Sequence, residues 1–89
     1  MKKSICILGS TGSIGVLSLD IVNKKKKFFQ IYALLANKNY NLILKQIKKY
    51  KPKYYIISDK KVFKKVKKNI KIKNVIILNN LKDIISKKK

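Results

Sequence analysis

Short apolar runs alternate with stretches of helical apolar spacing along most of the chain. Ser4–Leu8 is a compact apolar run ending at a glycine, which predicts a strand buried on both faces with Cys6 in the core. From Ser13 the spacing turns helical: Ile14, Leu17 and Ile21 share one stripe, with Val22 beside it. Lys24–Lys27 reads as a solvated loop or frayed helix end, and Phe29–Leu35 as a second strand. Asn37-Lys38-Asn39 interrupts it, after which Asn39 or Asn41 can cap a helix with Ile43, Ile47 and Tyr50 on one face, stopped by Pro52. Tyr54–Ile57 predicts a third strand in which the tyrosines pack, and Ser58-Asp59 caps a helix carrying Phe63, Val66 and Ile70 inward. Val75–Leu78 is the fourth strand, and Leu81, Ile84 and Ile85 suggest a last short helix before the Lys87–Lys89 tail. This alternation predicts an α/β fold: a Rossmann-like parallel sheet of about four strands with helical crossovers, in one domain.

All three glycines fall in one seven-residue window, Gly9-Ser10-Thr11-Gly12-Ser13-Ile14-Gly15, directly between the first strand and the first helix. That placement is where a glycine-rich loop binds a dinucleotide. Gly9 permits a tight turn, Gly12 lets backbone approach a pyrophosphate, and Gly15 lets the helix pack closely. The first N–H groups of the helix, from Ser13 onward, lack intrahelical partners and suit an anion, and the Thr11 and Ser13 hydroxyls add donors. A turn that merely joins strand to helix is the simpler alternative, and the strand–loop–helix context weighs against it. A P-loop is excluded, because Val16-Leu17 follows Gly15 where lysine and a hydroxyl residue are required. No acid lies between Asp20 and Asp59, so the second strand ends without the carboxylate that holds the ribose of NAD. Asn37, Lys38 and Asn39 stand there instead, and Lys38 favours the 2′-phosphate of NADP, a modest signal in so lysine-rich a chain.

Composition narrows the chemistry further. The 89 residues include 24 lysines, no arginine, three aspartates, no glutamate and no histidine, for a formal net charge of +21. Without histidine there is no Ser-His-Asp or Cys-His nucleophile system and no imidazole ligand. Asp20, Asp59 and Asp83 make a poor carboxylate cage, and Cys6 alone forms no internal disulfide or zinc site. The charge invites a reading as a nucleic-acid or anionic-surface binder. Fifteen isoleucines and eight asparagines accompany the lysines, however, while Gly, Ala, Pro and Arg are scarce, the pattern of AT-rich coding. The missing arginine also speaks against a dedicated nucleic-acid surface. The apolar run after Met1-Lys2-Lys3 stops at Gly9, too early for a signal peptide, and no stretch is long enough to span a bilayer. A soluble, cytoplasmic protein with no membrane or specific nucleic-acid partner is expected.

The loop Gly9–Gly15 after Ile7-Leu8 resembles the N-terminal NADPH loop of the 1-deoxy-D-xylulose 5-phosphate reductoisomerase family. Leu19-Asp20, the Phe29-to-Leu34 pattern ending in Ala33-Leu34, and Lys38-Asn39 are similar to that family in relative position. The resemblance runs through Pro52 and the third strand and fades after about Asp59. It implies that Thr11, Gly12, Ser13 and Ile14 line the pyrophosphate and nicotinamide side, with Gly9 turning the loop, and that Asn37, Lys38 and Asn39 hold the 2′-phosphate. Asn37 stands where the family usually has glycine, and a left-handed, somewhat strained asparagine is expected there.

The family converts 1-deoxy-D-xylulose 5-phosphate to 2-C-methyl-D-erythritol 4-phosphate in isoprenoid precursor biosynthesis, using NADPH and a divalent metal, Mg or Mn. Residues 1–89 then correspond to a truncated N-terminal NADPH-binding domain, with the catalytic and C-terminal domains, the metal ligands and the sugar-phosphate site absent. No catalytic or metal-binding residue is assigned within the chain, and alone it is expected to lack catalytic competence. If all four strands lie to one side of the first, its other edge is unpaired and apolar. Such a chain is expected to be marginal, homo-oligomeric or dependent on completion by a missing segment. A lysine-rich binding module, or a decayed, inactive gene product, are the competing readings.

Overall fold

Each apolar run pairs with the next in sequence, and each intervening amphipathic stretch returns the chain to the same end of the sheet. In the computed structural model, which describes residues 2–70, 72 and 74–87 (the side chains of 85–87 excepted), this yields β1 (Lys3–Leu8), α1 (Ser13–Lys24), β2 (Phe29–Ala36), α2 (Tyr40–Tyr50), β3 (Tyr54–Ile57), α3 (Lys60–Asn69), β4 (Ile76–Leu78) and α4 (Lys82–Lys87). The strands are parallel throughout, in the order β1-β2-β3-β4, which is the Rossmann-like sheet with helical crossovers that the alternation implies. Of the expected Lys87–Lys89 tail, Lys87 instead belongs to α4, and Lys88–Lys89 lie outside the described residues.

One face of the sheet carries most of the core. Ile7, Leu34, Tyr55, Ile57 and Ile77 pack with Leu19 of α1, Ile43 and Ile47 of α2, and Val66 of α3. On the other face Ala33, Tyr54, Ile56 and Leu78 meet Ile84 of α4, and Tyr54 stands edge-on to Tyr32 with ring centroids 5.4 Å apart. The helix starts follow the expected polar residues. Asn39 Oδ1 accepts from the Leu42 N–H at 3.3 Å, and Asp59 Oδ1 from the Val62 N–H at 3.0 Å. At the end of α2, Lys51 turns into the left-handed region at φ 46° immediately before Pro52.

Three expectations are corrected. β1 is not buried on both faces: it is the sheet edge, and of its six residues only Ile7 is buried. All three crossovers step the sheet in the same direction, so none of the described residues covers the outer face of β1. For the same reason Cys6 is exposed rather than part of the core. On α1 the inward residues are Gly15 and Leu19, with Val22 half-buried, while Ile14, Leu17 and Ile21 are 80%, 63% and 59% exposed. The helix is apolar on two sides, and the smaller side chain at Gly15 decides which side approaches the sheet.

Candidate functional site

The glycine loop leaves β1 at the C-terminal end of the sheet, the end at which open parallel sheets bind ligands. Leu8 pairs with Leu35, and the N–H groups of Gly9 and Ser10 both donate to the Leu35 carbonyl, at 2.8 and 2.9 Å. Gly9 makes the turn at φ +78°, a conformation that side chains other than glycine adopt at a cost. Gly12 donates back to the Gly9 carbonyl at 3.1 Å and serves as the N-cap of α1 with extended backbone and no side-chain hydrogen bond. The first turn of α1 therefore begins with N–H groups that no side chain caps, the positive end of the helix dipole.

The three glycines do different work. A Cβ on Gly15 would collide with the Gly9 carbonyl oxygen and lie 2.8 Å from Ser10 Cα, so α1 touches the loop backbone directly. A Cβ on Gly12 would meet only the Gly9 carbonyl oxygen, at an ordinary 3.5 Å, and would otherwise project into open space. Gly15 thus holds the loop against the helix, and Gly12 keeps the approach to the helix terminus clear. An open groove of about 530 Å³ lies here, lined by Leu8, Gly9, Gly12, Ser13, Ile14 and Ser18 among others. Of the loop residues singled out in the sequence, Gly9, Gly12, Ser13 and Ile14 are exposed and line this groove, while Thr11 is half-buried and does not line it. A second cavity, of about 500 Å³, opens beside Lys2, Lys26, Phe29 and Lys53, near the strand starts and away from the glycine loop.

Asn37, Lys38 and Asn39 are exposed at the same end of the sheet, following β2. Ser58 Oγ donates to Asn37 Oδ1 at 2.9 Å, and Asn39 spends its carbonyl on capping α2 while its amide group remains a donor. The left-handed backbone expected at Asn37 is not found: among the described non-glycine residues only Lys51 has positive φ. The bond from Ser58, together with Ser58 N–H donating to the Ala36 carbonyl at 3.0 Å, holds the turn without that strain.

Sequence reasoning missed what lies beneath the loop. Ser10 is fully buried between exposed Gly9 and half-buried Thr11, and its hydroxyl lies 3.1 Å from the Tyr55 phenol. Tyr55 donates to Gln46 Oε1 at 2.7 Å, and Gln46 Nε2 donates to the Ser10 carbonyl at 2.7 Å. Burial pushes the Tyr55 phenol up to about 12, opposed in part by the bond from Ser10, so it stays protonated and able to donate at neutral pH. A signal for Gln46 was available, since it falls at helical spacing between Ile43 and Tyr50 on the inward face.

Two of the three aspartates take structural places. Asp20 pairs with Lys24 one turn on at 3.3 Å, and Asp59 caps α3. Among the described residues no three His, Cys, Asp or Glu side chains gather where a metal ion could sit, so the donor set does not fit a divalent cation. No described helix is long and apolar enough to cross a membrane.

A sequence model of the 1-deoxy-D-xylulose 5-phosphate reductoisomerase family matches residues 5–89. A curated protein of that name from Clostridium novyi is 47% identical over 75 residues, covering 84% of this chain and 20% of its own. The fold is similar to the reductoisomerase of Zymomonas mobilis in complex with NADPH, with a TM-score of 0.83 and 24% identity over 97% of this chain and 23% of that one. It is also similar to a reductoisomerase in complex with NADPH, fosmidomycin and magnesium, with a TM-score of 0.74 and 26% identity over 94% of this chain and 21% of that one. The chain thus spans about a fifth of the length of the relatives it matches.

Proposed function

The chain belongs to the 1-deoxy-D-xylulose 5-phosphate reductoisomerase family, and from that premise we propose that residues 1–89 are the NADPH-binding portion, one Rossmann-like domain, of such an enzyme. The observation that carries this reading is the division of labour in the loop. Gly15 is pressed against the Gly9 carbonyl, and Gly12 stands open before an uncapped helix terminus. In this reading Gly9 and Thr11 shape the pyrophosphate cradle with Gly12 and Ser13, and Ile14 offers an apolar surface to the nicotinamide side. Asn37 and Asn39 supply amide donors, and Lys38 the cation, for the adenosine 2′-phosphate. When bound, NADPH supplies the hydride that completes formation of 2-C-methyl-D-erythritol 4-phosphate, a precursor of isoprenoids. The chain's own residues bind and orient. Among the described residues none is placed to handle the sugar phosphate or the metal, and in this reading the rearrangement belongs to other parts of a complete, cytoplasmic enzyme.

Lys38→Ala tests the 2′-phosphate assignment. Losing one charge-assisted hydrogen bond costs about 1.5–3 kcal/mol, so NADPH affinity is expected to fall roughly ten- to 150-fold with little change for NADH. The other lysines leave the overall field nearly as it was, so an equal fall for both dinucleotides would contradict the assignment.

The edge of β1 supports a second element of the proposal. Its outer backbone groups have no strand neighbour among the described residues, and Leu8, 68% exposed, lines one groove with the exposed Ile14 of α1. The chain is expected to associate, either with copies of itself or with further polypeptide that pairs along β1. Light scattering should give a mass above the 10.3 kDa of one chain, with a melting temperature that rises with concentration. A sharp, concentration-independent monomer melt would contradict it.

A further inference from the structure

Buried polar side chains are costly unless satisfied, and three of them form a closed ring directly under the glycine loop. Tyr55 has one hydroxyl proton and gives it to Gln46 Oε1, so at the 3.1 Å contact it is Ser10 that donates to the phenol oxygen. The Gln46 amide cannot be reversed, because its carbonyl would then face the Ser10 carbonyl at 2.7 Å, two acceptors in contact. The ring therefore runs in one direction, from the Ser10 hydroxyl through Tyr55 and Gln46 and back to the Ser10 carbonyl.

The consequence lies one bond further on. A trans peptide points its C=O and N–H in opposite directions. With the Ser10 carbonyl held inward by Gln46, the N–H of Thr11 is aimed away from the core. Among the described residues it donates to no protein group. Ser10 itself is fixed from the other side by its N–H to the Leu35 carbonyl. We propose that Ser10, Gln46 and Tyr55 are positioning residues for NADPH, whose ring locks the Ser10–Thr11 peptide plane and so presents the Thr11 N–H to the pyrophosphate. The proposal rests on the NADPH reading above and extends it to residues that never touch the cofactor.

Such a role differs from simple core packing in which ligand it affects. Adenosine 2′-phosphate carries the group assigned to Asn37–Asn39 and no pyrophosphate. Tyr55→Phe keeps the aromatic ring and removes both of its hydrogen bonds. In the full chain it is expected to weaken NADPH by about tenfold and to leave adenosine 2′-phosphate within twofold of the unaltered protein, as measured by titration calorimetry. Ser10→Ala should act in the same direction, and the double variant should be no worse than Tyr55→Phe alone, because both break one ring. An NADPH affinity unchanged in folded Tyr55→Phe, or equal losses for both ligands, would overturn the proposal. Should Tyr55→Phe fail to fold, Ser10→Ala alone carries the same two-ligand comparison. If the unaltered chain binds neither ligand, the NADPH reading itself fails. Amide hydrogen exchange then decides for the ring: faster exchange confined to residues 9–12 in the variant supports it, and a uniform or absent change overturns it.

Discussion

Replacing Gly15 by alanine is expected to destabilise the protein by about 3 kcal/mol or more, the upper end for overpacking a close contact. The added methyl group has no flexible neighbour to displace. It meets the carbonyl oxygen of Gly9 and the Cα of Ser10, both backbone atoms of a loop already tied to Leu35. Either α1 lifts from the sheet, uncovering Leu19, or the loop shifts and loses its bonds to β2. A urea or thermal melt reads the result, and for a domain of this size the midpoint should fall by roughly 12 °C or more. A loss of only a few degrees would show that the helix does not rest on the loop as described.

Gly12→Val is expected to do the opposite: preserve the fold and abolish binding. The backbone at Gly12 is extended, at φ −77° and ψ 169°, a conformation valine favours, and the new Cβ would have only one neighbour, at 3.5 Å. Its branches would occupy the space in front of the first turn of α1, where a pyrophosphate must approach backbone N–H groups without an intervening side chain. NADPH affinity should drop by at least about 100-fold, or about 2.8 kcal/mol, with the melting temperature changed by no more than a few degrees. Two glycines three residues apart would then separate cleanly into one that stability requires and one that binding requires.

Much of this arrangement was legible in the sequence. Strand and helix alternation, the caps at Asn39 and Asp59, and the placement of the glycine window between β1 and α1 are local features, written by period and by residue type. What was not legible depends on neighbours. The stripe of Ile14, Leu17 and Ile21 has the greater apolar bulk, yet it faces outward, because the contact between Gly15 and the loop sets the rotation of α1. Cys6 and Leu8 lie in an apolar strand whose outer face is left uncovered by the sheet order, which no residue pattern within the strand encodes. The ring beneath the loop joins Ser10, Gln46 and Tyr55 from three elements, and only the register of β1, β2 and β3 brings them together. The lysines show the converse. They dominate the composition, but apart from Lys38 none carries the argument about the site.

The glycine loop, rather than the positive charge, is expected to give this chain its ligand. Titration of NADPH into the full chain at two salt concentrations, alongside Gly12→Val, tests it most directly. Saturable one-to-one binding is expected, tighter for NADPH than for NADH, with only a shallow salt dependence and lost in the variant. Absence of NADPH binding, or binding that survives Gly12→Val, is matched by duplex DNA and weakens steeply with salt, would contradict it and return the lysines to the centre of the account.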